Sequence, residues 1–281
     1  MNDNQLRAFI ANALAEDIGE GDHTSLASIP PDRSGCARLH IKESGIIAGI
    51  RPAAEVFRMV DSTIVMEQHI DDGQVVQRGD MAFTVTGPQQ SLLKAERLTL
   101  NIMQKMSGIA TLTSLFVRKA EGYRARIIDT RKTTPGMRFL EKEAVKLGGG
   151  TNHRMGLYDM IMLKDNHIDF AGGIVNAIEK VREYLYRLGR HLPVVIEART
   201  IEDVEIILDT GGIDRILLDN FTIDKTREAV LIIDGRVETE SSGGITLDTV
   251  EAYAACGVDY ISVGALTHHN RSLDMSMKAI S

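Results

Sequence analysis

From Ala37 to Gly87 apolar positions alternate in short runs, ARLHI, STIVMEQHI, QVVQ and MAFTVTG, broken by Asp72-Gly73 and Arg78-Gly79-Asp80. A period of two with such turns predicts antiparallel strands, and PAAEVFRMV between them reads as a helix. Together they make an α+β unit of about a hundred residues, an ordinary domain size. Ahead of it, Leu6, Phe9, Ile10, Ala13 and Leu14 share one face of a helix that Asp3 is expected to cap and that ends near Gly19. After it, from Ser91 to Gly122, the period becomes helical again, with Leu92, Ala95, Thr99, Ile102, Met103 and Met106 on one side. Ser107-Gly108 is expected to bend or break that helix.

Beyond Gly122 short continuous apolar runs take over: ARIID, MIML, LPVVIEA, IDRILLD, RVETE and VDYISV. Amphipathic helices separate them. Ile174, Ala177, Ile178, Val181, Leu185 and Leu188 line one side of the longest, and Thr200 with Asp203 resembles a capping box for the next. Strands buried on both faces and alternating with helices imply parallel βαβ units. The expected class is therefore α/β, with parallel βαβ units following an α+β domain, and the boundary falls within the long helix.

Composition narrows the partners. A formal net charge of −7 argues against nucleic acid or an anionic membrane, each of which calls for a basic face. Two cysteines, Cys36 and Cys256, cannot build a disulfide framework and lack the spacing of a zinc site, so a reducing cytoplasm is expected. No apolar run is long enough to cross a bilayer, and MNDNQLRAFI does not read as a secretory leader.

Against that acidic background, Arg131, Lys132, His153, Arg154, Lys164 and His167 cluster in TRKTTPG, GGGTNHRMG and LKDNH, at the ends of apolar runs. Loops on a rigid scaffold commonly carry binding groups, and guanidinium forks with ammonium groups suit a multiply anionic small molecule. A chemically distinctive residue closes every barrel strand. Taking Arg131, Lys164, Glu197, Asp219, Ser242 and Gly264, the steps are 33, 33, 22, 23 and 22 residues, one βα unit each. In α/β barrels the active site gathers at that end of the strands. Two other readings stay open from the residues alone. Lys164 after MIML could be a Schiff-base lysine of an aldolase, or the barrel could be a non-catalytic anion sensor.

The motifs EDIGEGDHT, DDGQVVQRGD, ERLTLN and SGIAT, then DTRKTTPG, LEKEAVKLGGGTNHRMGLYDMIMLKDNHI, LLDNF, SSGGI and SVGALTH, resemble the quinolinate phosphoribosyltransferase family over nearly the whole chain. The resemblance implies a type II phosphoribosyltransferase fold: an N-terminal α/β sandwich over 1–108, joined by 266–281, and an open six-stranded α/β barrel over 109–265. It implies a homodimer, Mg2+ and no organic cofactor. It also implies the reaction of quinolinate with phosphoribosyl pyrophosphate to nicotinate mononucleotide, pyrophosphate and carbon dioxide.

By the same resemblance Arg97, Arg131, His153, Arg154 and Lys164 surround quinolinate, with Arg97 coming from the neighbouring subunit. Lys132, Glu197 and Asp219 are the catalytic set, binding phosphoribosyl pyrophosphate and, for the two acids, the metal through water or substrate. Ser242, Gly243, Gly244, Gly264 and His268 take the 5-phosphate, near a helix expected to open at Thr246. Two positions depart from the family. Val195 stands where the first of two alternating acids is common, leaving Glu197 as the acid expected to face the interior, and HNRSLD after SVGALTH leaves His269 and Asn270 without an assigned role.

Overall fold

The computed structural model describes residues 2–280. The chain divides into two compact units: one of Met1–Ser114, Thr133–Gly149 and Leu266–Ser281, the other of Leu115–Lys132 and Gly150–Ala265.

The chain begins with helices α1 (Asp3–Ile18) and α2 (His23–Ser28), then strands β1 (Ser34–Ile41) and β2 (Gly45–Ile46) and helix α3 (Ile50–Val60). Strands β3 (Val65–Gln68), β4 (Val75–Val76) and β5 (Met81–Pro88) lead into the long helix α4 (Gln89–Lys119). Asp3 is not the cap of α1. It is the first helical residue, and the Asn2 side chain accepts from the Asn4 N–H at 2.9 Å instead. Three of the alternating runs form an antiparallel sheet in the order β12-β1-β5-β3, where β12 (Met275–Ile280) is the last strand of the chain, while QVVQ supplies β4, which pairs antiparallel with β2 in a separate two-stranded sheet. Phe57 of α3 meets Phe83 of β5 edge to face at 5.9 Å, and both are fully buried, so the inward side of β5 closes on α3.

Helix α4 runs through Ser107-Gly108 without a break, contrary to the expectation from composition. Both residues are explained by packing. The Ser107 hydroxyl accepts from the Ala48 N–H at 2.8 Å, and a side chain at Gly108 would collide with the Arg271 carbonyl. A glycine placed for close backbone approach does not end a helix whose neighbours already fix it.

Strand β6 (Arg126–Ile128) opens the parallel sheet, and helix α5 (Arg138–Leu147) returns to the first unit. There follow β7 (Ile161–Leu163), α6 (Asp165–Ala171), α7 (Ile174–Leu188), β8 (Val194–Ala198), α8 (Ile201–Thr210), β9 (Arg215–Asp219), α9 (Ile223–Ile233), β10 (Glu238–Ser242), α10 (Val250–Ala254), β11 (Tyr260–Ser262) and α11 (Ala265–His268). All six expected strands are present. Their order is β6-β11-β10-β9-β8-β7, each neighbouring pair parallel, with β6 and β7 at the two edges. This is the open α/β arrangement expected from the sequence. Thr200 caps α8 as a capping box with Asp203, a feature worth about 1 kcal/mol.

The two faces of this sheet differ in chemistry. Val194, Ile196, Ala198, Ile216 and Leu218 pack with Ile174, Ala177, Ile178, Val204, Ile207 and Ala229 in one helix-covered core. Side chains alternate along a strand, so Val195, Glu197, Leu217 and Asp219 take the opposite face. Val195 and Glu197, two residues apart, share that inner face: Val195 is a buried apolar neighbour of the acid and lies on the same side.

Candidate functional site

Register carries the inner face across the sheet. Glu197 pairs with Leu217, Leu217 with Glu240, and Glu240 with Tyr260; one step further along, Asp219 pairs with Ser242. Lys164 follows the last residue of β7, and its Nζ lies 3.3 Å from Glu197 Oε1. The other oxygen, Oε2, accepts the Asp165 N–H at 3.0 Å. The carboxylate therefore fixes both the lysine and the first residue of α6. His167 Nδ1 accepts the Lys164 N–H at 3.1 Å, which closes the start of α6.

The NHRMG loop is held by two acids that the motif reading passed over. Asp129, just after β6 and fully buried, accepts the His153 N–H at 2.9 Å. Asp159 accepts the Met155 and Gly156 N–H groups at 2.7 and 2.9 Å, which folds the loop back on itself. His153 and Arg154 are both buried, with 8% of each exposed. Burial and the neighbouring Arg131 charge push the Arg154 guanidinium below its usual range, opposed by Asp159 and Glu197. A buried arginine whose charge is disfavoured by a neighbouring arginine marks a place where an anion is welcome. Arg131 is half-buried and Lys132 exposed, the backbone N–H of Lys132 being held by Thr130 Oγ1 at 3.1 Å.

At the ends of β9 and β10 the construction changes from side chain to backbone. Asn220 adopts φ 56°, and its side chain donates to Asp219 Oδ2 at 2.8 Å while its N–H donates to the Ser242 carbonyl at 2.9 Å. Gly243 and Gly244 follow with φ 96° and 60°. A Cβ on Gly243 would strike the Asn220 side chain and come within 3.0 Å of its backbone nitrogen. The helix expected at Thr246 begins only at Val250 and is five residues long. Thr246 instead opens a turn, its carbonyl accepting from Thr249 and Val250. Any anion held by SSGG is thus held by the loop's own amides, which consecutive positive-φ residues can aim together.

Gly264 lies between β11 and α11, partly exposed. His268, exposed, closes α11, and Arg97, also exposed, lies on α4; both belong to the first unit. Also in that unit, Asn270 accepts from Lys105 Nζ at 2.9 Å, and Lys105 lies 3.6 Å from the buried Glu141. Asn270 therefore has a structural partner, where the sequence offered it none.

A second buried acid, Glu240, was also missed. Its Oε2 stands 3.4 Å from His153 Nε2 and 3.0 Å from Arg215 Nη1. Burial works against its ionisation, yet the His153 ring and the Arg215 charge hold its carboxyl below the usual range. The signal was legible in RVETESS, where Glu238, Glu240 and Ser242 alternate in a strand that should be apolar on both faces.

Comparison with known proteins bears on this arrangement. The family described as "Quinolinate phosphoribosyl transferase, C-terminal domain" matches residues 109–278, and its N-terminal counterpart matches 22–107. The chain is 46% identical to the Arabidopsis thaliana "Nicotinate-nucleotide pyrophosphorylase [carboxylating], chloroplastic", over 97% of this chain and 82% of that protein. It is 42% identical to a "Probable nicotinate-nucleotide pyrophosphorylase [carboxylating]" of Bacillus subtilis, over 99% and 94%. Among solved structures, NadC from Streptococcus pyogenes superposes with a TM-score of 0.94 at 35% identity, covering 100% of this chain and 99% of that one.

Proposed function

This chain belongs to the quinolinate phosphoribosyltransferase family, and from that membership we propose how its residues share the reaction. It is a decarboxylating phosphoribosyltransferase of de novo NAD synthesis, joining quinolinate to phosphoribosyl pyrophosphate to give nicotinate mononucleotide, pyrophosphate and carbon dioxide.

Arg131, His153, Arg154 and Lys164 surround the two adjacent carboxylates of quinolinate, which would protonate if buried without cations. The observation that carries this reading is the meeting of Lys164 with Glu197 at 3.3 Å on one sheet end, with the buried Arg154 within their electrostatic reach. The pyridine nitrogen attacks the anomeric carbon as the bond to pyrophosphate breaks, through a transition state of oxocarbenium character. Glu197 and Asp219 hold the ribose hydroxyls and stabilise the positive charge growing on the sugar, while Lys132 meets the departing pyrophosphate. Loss of the 2-carboxylate as carbon dioxide then leaves its electron pair on the ring carbon beside the quaternised nitrogen, where a proton replaces it. Ser242, Gly243, Gly244 and Gly264 take the 5-phosphate.

Magnesium belongs to the same reading. Among the described residues no group of three or more His, Cys, Asp or Glu gathers to hold a metal. Glu197 and Asp219 alone suit an ion that keeps several waters and is completed by substrate phosphate oxygens. Bound there, it would neutralise charge on the pyrophosphate. Arg97, exposed on α4, we assign to the quinolinate pocket of the second subunit in a homodimer. The two free cysteines suit a reducing compartment, and the cytoplasm is our assignment.

The test is incubation with Mg2+, phosphoribosyl pyrophosphate and either quinolinate or nicotinate, following carbon dioxide and mononucleotide. Quinolinate should be consumed with one carbon dioxide per mononucleotide. Turnover of nicotinate and not quinolinate would overturn the reading.

A further inference from the structure

The segment 154–160 runs from the buried Arg154 to the start of β7, and two sets of hydrogen bonds close it on itself. The first comes from Asp159, whose Oδ2 accepts the Met155 N–H at 2.7 Å and whose Oδ1 accepts the Gly156 N–H at 2.9 Å. Both are charge-assisted, and they gather consecutive amides just after the arginine. The second comes from Arg154 itself, whose Nη1 donates to the Met160 carbonyl at 3.4 Å. Asp159 and Met160 are adjacent, so the carboxylate that folds the segment also places the carbonyl that takes the guanidinium.

The tip of the segment, Leu157 and Tyr158, is exposed, so its shape comes from these hydrogen bonds and not from burial of the tip. Its far end is anchored in the sheet: the Ile161 N–H donates to the Pro193 carbonyl at 2.9 Å, and Ile161 pairs with Val194. Charge acts in the same direction as shape. Burial and Arg131 oppose the Arg154 cation, and Asp159 with Glu197 supports it. An arginine has several rotatable bonds, and ordering them only when a ligand arrives subtracts from affinity. Arg154 is ordered beforehand.

We propose that Asp159 is a positioning residue of the quinolinate pocket: by closing the 154–160 segment it sets the Met160 carbonyl against one nitrogen of Arg154, so that the guanidinium fork is aimed before the acid arrives. This rests on the assignment of Arg154 to quinolinate. Asp159 touches no substrate in this reading. Its contribution passes entirely through the arginine, which is what separates it from a residue that merely stabilises the loop.

Calorimetry on variants and hydrogen exchange on the unaltered protein test this. Asp159→Asn offers one acceptor oxygen to two N–H donors and removes the charge, so quinolinate affinity should fall by about tenfold, the scale of one hydrogen bond to a charged group. Asp159→Ala, which offers none, should lose more, and phosphoribosyl pyrophosphate affinity should stay unchanged in both. Equal weakening of both substrates, or normal quinolinate affinity in the alanine variant, would show a structural role only and refute the proposal. Added to Arg154→Ala, Asp159→Asn should weaken quinolinate no further, because the two act as one unit. A second tenfold loss on that background would overturn the proposal. In unaltered, ligand-free protein the Met155 and Gly156 amide protons should already be protected from exchange; protection that appears only with quinolinate would mean that the ligand, and not Asp159, closes the segment. If Arg154→Ala binds quinolinate normally, the pocket assignment fails and this proposal with it, whereas failure at Asp159 alone leaves the assignment standing.

Discussion

At the β7 and β8 ends of the sheet, Lys164 and Glu197 are already joined at 3.3 Å and the buried His153 and Arg154 stand on an acid-braced loop. At the β9 and β10 ends, Asp219 is braced by a neighbouring amide, and the glycines beside it present backbone at φ 96° and 60°. The first region works by charge. Its lysine is held by an internal acid, so a substrate carboxylate competes with, or joins, a pair that exists before it arrives. The second works by shape, since amides that cannot ionise are aimed by a backbone only glycine takes easily. The first should therefore fail when side-chain atoms are removed, the second when they are added.

The largest effect should come from Arg154→Ala. Removing one partner of a buried charge cluster costs about 3 to 5 kcal/mol, read by calorimetry as quinolinate affinity lost with phosphoribosyl pyrophosphate affinity kept. Lys164→Ala should move the same quantity by a smaller factor, because its side chain is 47% exposed and water screens it. Equal losses for both ligands would erase the distinction between the regions.

Next come Glu197→Gln and Asp219→Asn, one from each region. Both acids are assigned to the growing positive charge on the sugar, so kcat should fall by about a hundredfold or more with KM little changed. An unaltered kcat in both would remove them from the transition state and leave Glu197 as a brace for Lys164.

The contrast also explains which parts of the molecule the sequence disclosed. Strands such as VVIEA and RILLD were legible because a parallel strand buried on both faces reads as an apolar run, and the single acid in each stands out. Thr200 with Asp203 was legible as local capping chemistry. What escaped was set by partners distant in the chain. Gly108 sits inside an unbroken helix because Arg271 passes close to it. Glu240 escaped because its neighbours Arg215 and His153, at 3.0 and 3.4 Å, come from other segments. Asn2 took the cap from Asp3 because the two differ by one residue, within the uncertainty of any helix end. Arg154 and Lys164 announced themselves by type, whereas the acids that brace the Arg154 loop and pair with Lys164 are set only in three dimensions.

Gly243→Ala tests the shape region by addition. The new methyl meets the Asn220 side chain and a backbone nitrogen at 3.0 Å, at a φ of 96° that L residues rarely adopt. The strain is on the order of 1–3 kcal/mol. It should be relieved by opening the loop, seen as a raised KM for phosphoribosyl pyrophosphate with quinolinate affinity unchanged. A rise in the quinolinate constant alone would put the glycine loop in the wrong half of the site.

The smallest expected change is the sharpest test of the comparison, because Asn220 contributes to the shape region by both routes. Its backbone, at φ 56°, supplies the turn and donates to Ser242, while its side chain donates to Asp219 at 2.8 Å. Asn220→Gly keeps the first and deletes the second. Glycine adopts a positive φ freely, so thermal stability should hardly move. The lost hydrogen bond to a charged oxygen should cost about 1.5 kcal/mol, roughly a tenfold fall in kcat through a less well oriented Asp219. Asn220→Ala loses the same hydrogen bond but also bears the strain of positive φ, so it should match glycine in kcat and fall below it in melting temperature. If glycine restored wild-type kcat, backbone shape alone would govern this half of the site, and the Asn220 side chain would be a bystander to Asp219.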